Sequence, residues 1–142
     1  MVHVNMTAVL VAVVISFIFG WLWYGPILGK TWGKEMGMAM DQKPPAGVMI
    51  KGMILMLIGT FLTVYVYAHN AEAWKSVMAS GPAMSAIQNG LMGGFFTWLG
   101  FFLPHNLSRL AWENKSMKLF WINSLYSFIY LQIVAQILSH TA

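Results

Sequence analysis

The chain contains few charged side chains and no cysteine. Only 8% of its 142 residues are charged and 58% are apolar, whereas about a quarter of the residues in an ordinary soluble domain are charged. A soluble fold of this length has too little interior to bury so many apolar side chains. The lack of cysteine excludes disulfides, thiolate metal sites and cysteine nucleophiles. The composition therefore predicts a membrane protein.

Four long apolar stretches contain neither Asp nor Glu. They cover residues 6–24, 48–68, 84–103 and 119–138, and each is close to the ~20 residues that a helix needs to cross a ~30 Å hydrocarbon core. Strands of a membrane barrel alternate in polarity over about ten residues, but these runs are continuous. We predict an all-α protein, an integral membrane bundle of four transmembrane helices, as a single domain over residues 1–142. The missing acids argue against proton-coupled transport, which needs an intramembrane acid.

The basic residues are distributed unequally among the connections between these stretches. One connection holds a single Lys, whereas the other two and the residues beside them hold seven of the eight Lys and Arg residues. The first group is Lys30, Lys34, Lys43 and Lys51, the second is Lys75 alone, and the third is Arg109, Lys115 and Lys118. By the positive-inside rule the first and third connections are cytoplasmic and both termini lie outside. The net charge of +4 is then a signal of topology, and we predict no nucleic acid partner.

Small side chains recur at helical spacing in three of the four stretches. Such ridges let membrane helices approach closely. They are Ala8, Ala12, Ser16 and Gly20 in the first, Gly52 and Gly59 in the second, and Gly90, Gly94 and Gly100 in the third. Packing within the bundle and packing between copies both remain open, and we expect a homo-oligomer.

The fourth stretch carries polar side chains on two opposite helical faces, which need partners inside a membrane. One face has Asn123, Ser127 and Tyr130, and the other has Gln132, Gln136 and His140.

A Trp- and Gly-rich segment follows the first stretch. Residues 25–31 are similar to a phosphate-binding P-loop, but they have one residue too few between the glycines and follow a helix instead of a strand. We predict a turn at the membrane surface, with Lys30 near lipid phosphates.

The whole segment WLWYGPILGKTW at residues 21–32, with Asn106 and the start of the fourth stretch, resembles a bacterial membrane family, the domain of unknown function 1761. The resemblance implies a small four-helix membrane protein without an established activity, in the bacterial plasma (inner) membrane.

The two cytoplasmic connections bring polar and aromatic side chains to one side of the membrane. We predict a ligand or partner site there, in contact with membrane lipid, and no cofactor. Its candidate residues are Tyr24, Lys30, Trp32, His105, Asn106, Arg109, Trp112, Glu113 and Asn123. At the outer surface, His3, His69 and His140 are a weaker alternative as a metal site, because the sequence has no local ligand spacing.

Three classes of function fit these patterns. The first is a non-enzymatic membrane protein that forms oligomers or binds an unknown protein partner. The second is a small transporter or channel for a neutral solute or a lipid. The third is an interfacial enzyme in which His105 acts as acid or base, although the sequence shows no paired carboxylates or nucleophile with a base. We rank the interaction protein first.

Overall fold

The computed structural model describes residues 3–39, 41–78 and 81–141, and all regular structure in this part of the chain is helical. The six α-helices are α1 (Met6–Leu22), α2 (Gly29–Glu35), α3 (Ala46–Met78), α4 (Ala86–Thr97), α5 (Leu103–Trp112) and α6 (Met117–Thr141). A first π-helical turn, Trp23–Ile27, follows α1, and a second, Trp98–Phe102, follows α4. The prediction of an all-α protein is confirmed over the described residues.

Helices α1 and α6 run antiparallel. At one end, the Asn5 side-chain amide donates to the carbonyl of Thr141 at 3.1 Å, while its Oδ1 accepts from the amide of Ala8 and caps α1. At the other end, the Tyr24 hydroxyl donates to Asn123 Oδ1 at 2.9 Å. We call the end at Asn5 and Thr141 the terminal end. We call the end at Tyr24 and Asn123, where α2, α5 and the start of α6 meet, the basic end.

The core lies between α1 and α6, with a contribution from the second half of α3. Small and β-branched side chains on α1 allow the close approach of larger ones on α6. The buried cluster is Ala8, Val9, Ala12 and Val13 on α1, Val64 and Ala68 on α3, and Tyr130, Leu131, Val134 and Leu138 on α6. Ser16 and Gly20, the remaining members of the predicted ridge on α1, are buried as well.

Helix α4 packs on α6 through two glycines. A Cβ atom at Gly90 would lie 2.7 Å from Gln136 Nε2, and one at Gly94 would lie 3.1 Å from the carbonyl oxygen of Leu131. The Gln136 amide donates to the carbonyl of Ile87 at 3.1 Å. The groove that the glycines leave is therefore filled by an amide side chain of α6.

Three helices in the described residues are long and apolar enough to cross a membrane: Met6–Ile27, Ala46–Lys75 and Met117–Thr141. The stretch predicted as the third of four spans, residues 84–103, is divided between α4, the second π turn and the start of α5. With 12 residues, α4 alone is too short to cross. The prediction of four membrane-length helices is therefore confirmed only for three.

Two prolines account for the two π turns. Proline has no N–H, so Pro26 and Pro104 leave the carbonyls four residues before them without their usual donor. Nearby backbone amides then bond to the carbonyl five residues before them instead of four. The amide of Leu28 bonds to Trp23 O at 2.9 Å, and the amide of Leu103 bonds to Trp98 O. The helix thus departs from α-helical geometry just before Pro104, and the chain continues beyond it as α5.

The first half of α3 stands apart from the bundle. Only 11% of the apolar span of α3 is buried, against 39% for that of α1 and 44% for that of α6. In the first half of α3, a Cβ atom at Gly52 or Gly59 would meet nothing within 4 Å. Between α1 and α3 lies an open apolar groove of about 300 Å³, lined by Phe17, Ile50, Met53, Ile54 and Leu57.

Candidate functional site at the basic end

The start of α6 receives hydrogen bonds from both π turns and from α5. From the first turn, Tyr24 donates to Asn123. From the second, Trp98 Nε1 donates to the carbonyl of Ser124 at 3.0 Å and to Ser127 Oγ at 3.2 Å. Because these side chains lie among apolar helices, each bond satisfies a polar group that would otherwise be costly to bury.

Helix α5 is attached to the same segment. Asn106 Nδ2 donates to Ser124 Oγ at 3.2 Å, and Ser124 is only 1% exposed. Asn106 thereby holds α5 beside the start of α6, one turn before Arg109. The second π turn and α5 are thus both hydrogen-bonded to the first part of α6.

Aromatic rings orient Tyr24. Its ring meets Trp32 of α2 edge-on, with centroids 5.3 Å apart, and lies 4.8 Å from the ring of Tyr126. Tyr126 in turn stacks on Phe19, with centroids at 5.5 Å. Such edge-on and stacked pairs are favoured arrangements of aromatic rings. They fix the direction in which the Tyr24 hydroxyl points.

Besides the contact of Trp32 with Tyr24, a hydrogen bond holds α2 at this end. The Ser116 hydroxyl donates to the Glu35 carboxylate and accepts from the amide of Leu119 at 3.1 Å, which caps the first turn of α6. The Glu35 carboxylate of α2 is therefore hydrogen-bonded to the loop before α6.

A small cleft opens between α5 and α6. Its lining consists of two basic residues, two amides and three apolar side chains: Arg109, Lys115, Asn106, Asn123, Leu110, Leu119 and Phe120. We call it the rim cleft. Its volume is about 10 Å³, close to the space for one water molecule. It can hold a single polar atom group but cannot enclose a whole substrate molecule.

The charge at the rim cleft is positive on balance. Arg109 Nε bonds to Glu113 Oε2 at 3.1 Å in an exposed i, i+4 pair, which uses one of the five donors of a guanidinium. Lys115, in the loop between α5 and α6, also lines the cleft and is half-buried. Two cations and one acid therefore surround the cleft, together with amide groups that donate hydrogen bonds.

The structure brings six of the nine predicted site residues together. Asn106, Arg109 and Asn123 line the rim cleft. Tyr24 bonds to Asn123, Trp32 packs on Tyr24 and Glu113 pairs with Arg109.

The other three predicted site residues lie outside this cluster. Lys30 and His105 are exposed and do not line the cleft, and Trp112 is 87% exposed. These three positions face outwards at the same end of the bundle.

Sequence reasoning missed five contributors. Lys115 was identified only as a charge of the connection, and Leu110, Leu119 and Phe120 were not identified as site residues, yet all four line the cleft. Trp98 was not identified, although a Trp inside an apolar stretch needs an acceptor for its indole N–H and so signals a partner.

The three histidines predicted at the outer surface do not form a metal site in the described part of the chain. Among the described residues, no three His, Asp or Glu side chains are close enough to hold a metal ion. His69 Nδ1 lies 2.9 Å from the carbonyl of Tyr65, and His140 Nδ1 lies 2.8 Å from that of Gln136. Each ring therefore bonds to its own helix, and His3 is exposed.

These features define a helical protein with membrane-length apolar helices and a polar cluster at one end. The chain belongs to the family described as "Protein of unknown function (DUF1761)", whose model matches residues 7–139. The predicted family resemblance is thus confirmed over nearly the whole chain. Comparisons with curated proteins and with solved structures each found no match.

Proposed function

We propose that this chain is a non-enzymatic membrane protein that crosses the bilayer four times and binds an anionic phospholipid headgroup at its rim cleft. The observation that carries the proposal is the convergence of Arg109, Lys115, Asn106 and Asn123 around one cleft at the ends of membrane-length helices. Phosphate oxygens accept hydrogen bonds from guanidinium, ammonium and amide groups.

The direction of the helices supports a fourth crossing. Helices α1 and α6 have membrane length and are antiparallel, so an even number of crossings must separate them. Helix α3 supplies one. The other is α4, the second π turn and α5, which form one continuous helical run of 12, 5 and 10 residues. At ~1.5 Å per residue this run is about 40 Å long, enough to cross.

Contacts along α6 support the same crossing. Near the terminal end, the carbonyl of Ile87 meets Gln136, and near the basic end, Asn106 meets Ser124. The run therefore follows α6 from one end towards the other. The indole N–H of Trp98 in the second π turn bonds to α6, so this polar group of an irregular helical segment has a protein partner.

Charge supports an orientation with the basic end in the cytoplasm. The elements at this end carry seven of the eight Lys and Arg residues, whereas Lys75 alone lies in the last part of α3. By the positive-inside rule both termini are then outside. In a bacterial plasma membrane the rim cleft would face the anionic cytoplasmic leaflet.

The small volume of the rim cleft supports a binding role over catalysis. A headgroup can place one phosphate oxygen in the cleft while its acyl chains remain among the neighbouring lipids. The opening of the cleft has an apolar edge, which consists of Leu110, Leu119 and Phe120. His105, the candidate acid or base, lies outside the cleft.

The test is lipid retention in native mass spectrometry from nanodiscs with equal amounts of zwitterionic and anionic phospholipid. We expect the wild-type chain to retain anionic lipid, and R109Q/K115Q to retain roughly tenfold less, equivalent to about 1.4 kcal/mol. The matched control is K30Q/K118Q, which removes two exposed charges from the same end without touching the cleft.

Retention in the control variant decides between a site and a charged surface. Retention close to wild type supports a site at the rim cleft. An equal loss in both double variants, or no preference for anionic lipid in the wild type, overturns it.

A second candidate function is self-association through α3, favoured by the open space at Gly52 and Gly59. Subunit counting by single-molecule photobleaching in a bilayer tests it. G52L/G59L should lower the subunit number, whereas G100L, at an open glycine outside α3, should not. A monomeric wild-type protein, or an unchanged number in G52L/G59L, contradicts this candidate.

A further inference from the structure

The open groove between α1 and α3 has only apolar side chains in its lining. Four of its five lining residues lie on α3 at the i, i+3, i+4 and i+7 spacing of one helical face: Ile50, Met53, Ile54 and Leu57. Phe17 of α1 completes the lining. The α3 face extends along the helix for about 10 Å at ~1.5 Å per residue. The lining side chains offer no hydrogen-bonding group to an occupant.

The groove lies in the part of α3 that is nearest to the basic end. Helix α3 begins at Ala46, and its Met56 contacts Gly20, close to the end of α1. Further along α3, Val64 and Ala68 belong to the buried cluster that contains the first half of α1. Helix α3 is therefore antiparallel to α1. In a membrane the groove opens into the leaflet on the side of the basic end.

Size and polarity decide what fills the groove. Empty space would cost its lining the dispersion contacts of a packed neighbour, and apolar cavities exclude water. A helix with side chains is ~10 Å across, so a 10 Å length of helix occupies roughly 800 Å³, more than the groove volume of about 300 Å³. If a methylene group takes up about as much space as a water molecule, ~30 Å³, the groove holds about ten of them. A hydrocarbon chain is the occupant that fits.

A cation without a protein partner lies beside the groove. Lys51 directly follows Ile50 on α3 and is exposed. The ion pairs among the described residues are Lys75–Glu72 and Arg109–Glu113, so Lys51 has no acidic partner in this part of the chain. An ammonium group in an apolar span is costly without an anion, and its long stem lets it reach the headgroup layer. The phosphate at the head of a lipid would supply the missing counter-charge.

The groove and the open glycines of α3 lie on different faces of this helix. Gly52 is two residues from Ile50, and Gly59 is two residues from Leu57. Two residues correspond to a turn of about 200° around a helix with 3.6 residues per turn. A lipid in the groove therefore leaves the glycine face free for another copy of the chain.

We propose that the groove between α1 and α3 binds one acyl chain of a phospholipid from the leaflet at the basic end, with the phosphate of that lipid at Lys51. The site is separate from the rim cleft, which is lined by α5, α6 and the loop between them. The groove encloses the chain, and every phospholipid carries the phosphate. Zwitterionic phospholipids should therefore bind here as well as anionic ones.

The first test counts retained zwitterionic phospholipid by native mass spectrometry from nanodiscs. The background is R109Q/K115Q, which removes the two cations of the rim cleft. Adding M53W/I54W fills the groove with two indole rings, and retention should fall roughly tenfold because the rings replace part of the chain. The matched control adds L55W/I58W, the same two rings at exposed positions of α3 outside the lining. It should retain as much lipid as the background.

The comparison of the two tryptophan pairs decides the inference. A loss confined to M53W/I54W supports it. Equal retention in both pairs overturns it. An equal loss in both pairs also overturns it, because that would be an effect on α3 as a whole.

The contact with the phosphate is tested by K51Q in the same background. Retention should fall about threefold, because an exposed charge contributes at most about 1 kcal/mol. K43Q, at an exposed Lys in the loop before α3, is the matched control and should not change retention. Equal retention in K51Q and K43Q overturns the contact.

A second readout uses the unsubstituted chain. The nanodiscs contain a trace of phospholipid with a diazirine at the middle of one acyl chain, and the adducts formed on illumination are located by peptide mass spectrometry. Adducts on Phe17, Met53 and Ile54 should exceed those on Leu55 and Ile58 about fivefold, because an enclosed chain stays in contact with its lining. Adducts spread evenly over these five positions overturn the inference.

A second copy of the chain is the competing occupant. The chain has no cysteine, so M53C alone reports whether two grooves meet in a bilayer. We expect no disulfide between copies under mild oxidation, because the groove is filled by lipid. An efficient M53C disulfide would place another copy at the groove and overturn the inference.

Discussion

Helices α3 and α6 are both long and apolar, yet α6 is 44% buried in its span and α3 only 11%. The difference lies in their polar side chains. Helix α6 carries Asn123, Ser124, Ser127 and Gln136, each of which bonds to another helix. The first half of α3 has no such contact among the described residues. Apolar composition places a helix in the membrane, whereas polar side chains and the glycines facing them decide which helix faces meet.

The largest expected effect comes from closing the groove between α4 and α6. G94L forces a side chain into the Leu131 carbonyl and the Gln132 amide, which should destabilise the bundle by about 3 kcal/mol and lower Tm by roughly 8 °C. G59L on α3 meets open space, so the free energy of unfolding should change by less than about 0.5 kcal/mol. Thermal unfolding in nanodiscs compares the two. Equal losses would remove the contrast between α3 and α6.

A smaller effect should follow removal of one interhelical hydrogen-bond donor. W98F keeps a large ring but deletes the indole N–H that bonds to Ser124 O and Ser127 Oγ. The expected loss is about 1 kcal/mol, the range measured for interhelical bonds in membranes. The matched control is W74F, at an exposed Trp on α3, which should leave Tm unchanged. A loss in W74F as large as in W98F would contradict the account.

The smallest effect should come from the two exposed ion pairs. R109Q breaks the pair with Glu113 at the basic end, and K75Q breaks the pair with Glu72 on α3. Each should change the free energy of unfolding by at most about 0.5 kcal/mol, because solvent screens exposed pairs. Denaturant or thermal unfolding measures both. A clearly larger loss in R109Q would mean that Arg109 stabilises the bundle through more than this exposed ion pair.

The sequence predicted which residue types gather at the basic end but not how they pair. Tyr24 and Asn123 were both candidates, yet their hydrogen bond depends on the register of two helices 99 residues apart, and no local pattern encodes that register. Their shared location followed from charge and from the alternation of crossings. Their contact followed only from the packed structure.

The π turns explain a second difference between the sequence prediction and the structure. A helical wheel drawn on 3.6 residues per turn placed Gly100 on a line beside that of Gly90 and Gly94, but the second π turn begins at Trp98 and turns every later residue to a new face. Gly90 and Gly94 meet α6, whereas a Cβ atom at Gly100 would meet nothing within 4 Å. The same shift directs Asn106 towards Ser124.

The central claim is that α4, the second π turn and α5 cross the membrane together and deliver Asn106 and Arg109 to the basic end. Single-cysteine variants H3C, A83C and W112C, labelled in intact cells with a membrane-impermeant thiol reagent, test it most directly, because the chain has no other cysteine and all three positions are exposed. We predict that H3C and A83C react in intact cells and that W112C reacts only after permeabilisation. Labelling of A83C and W112C from the same side would contradict the claim.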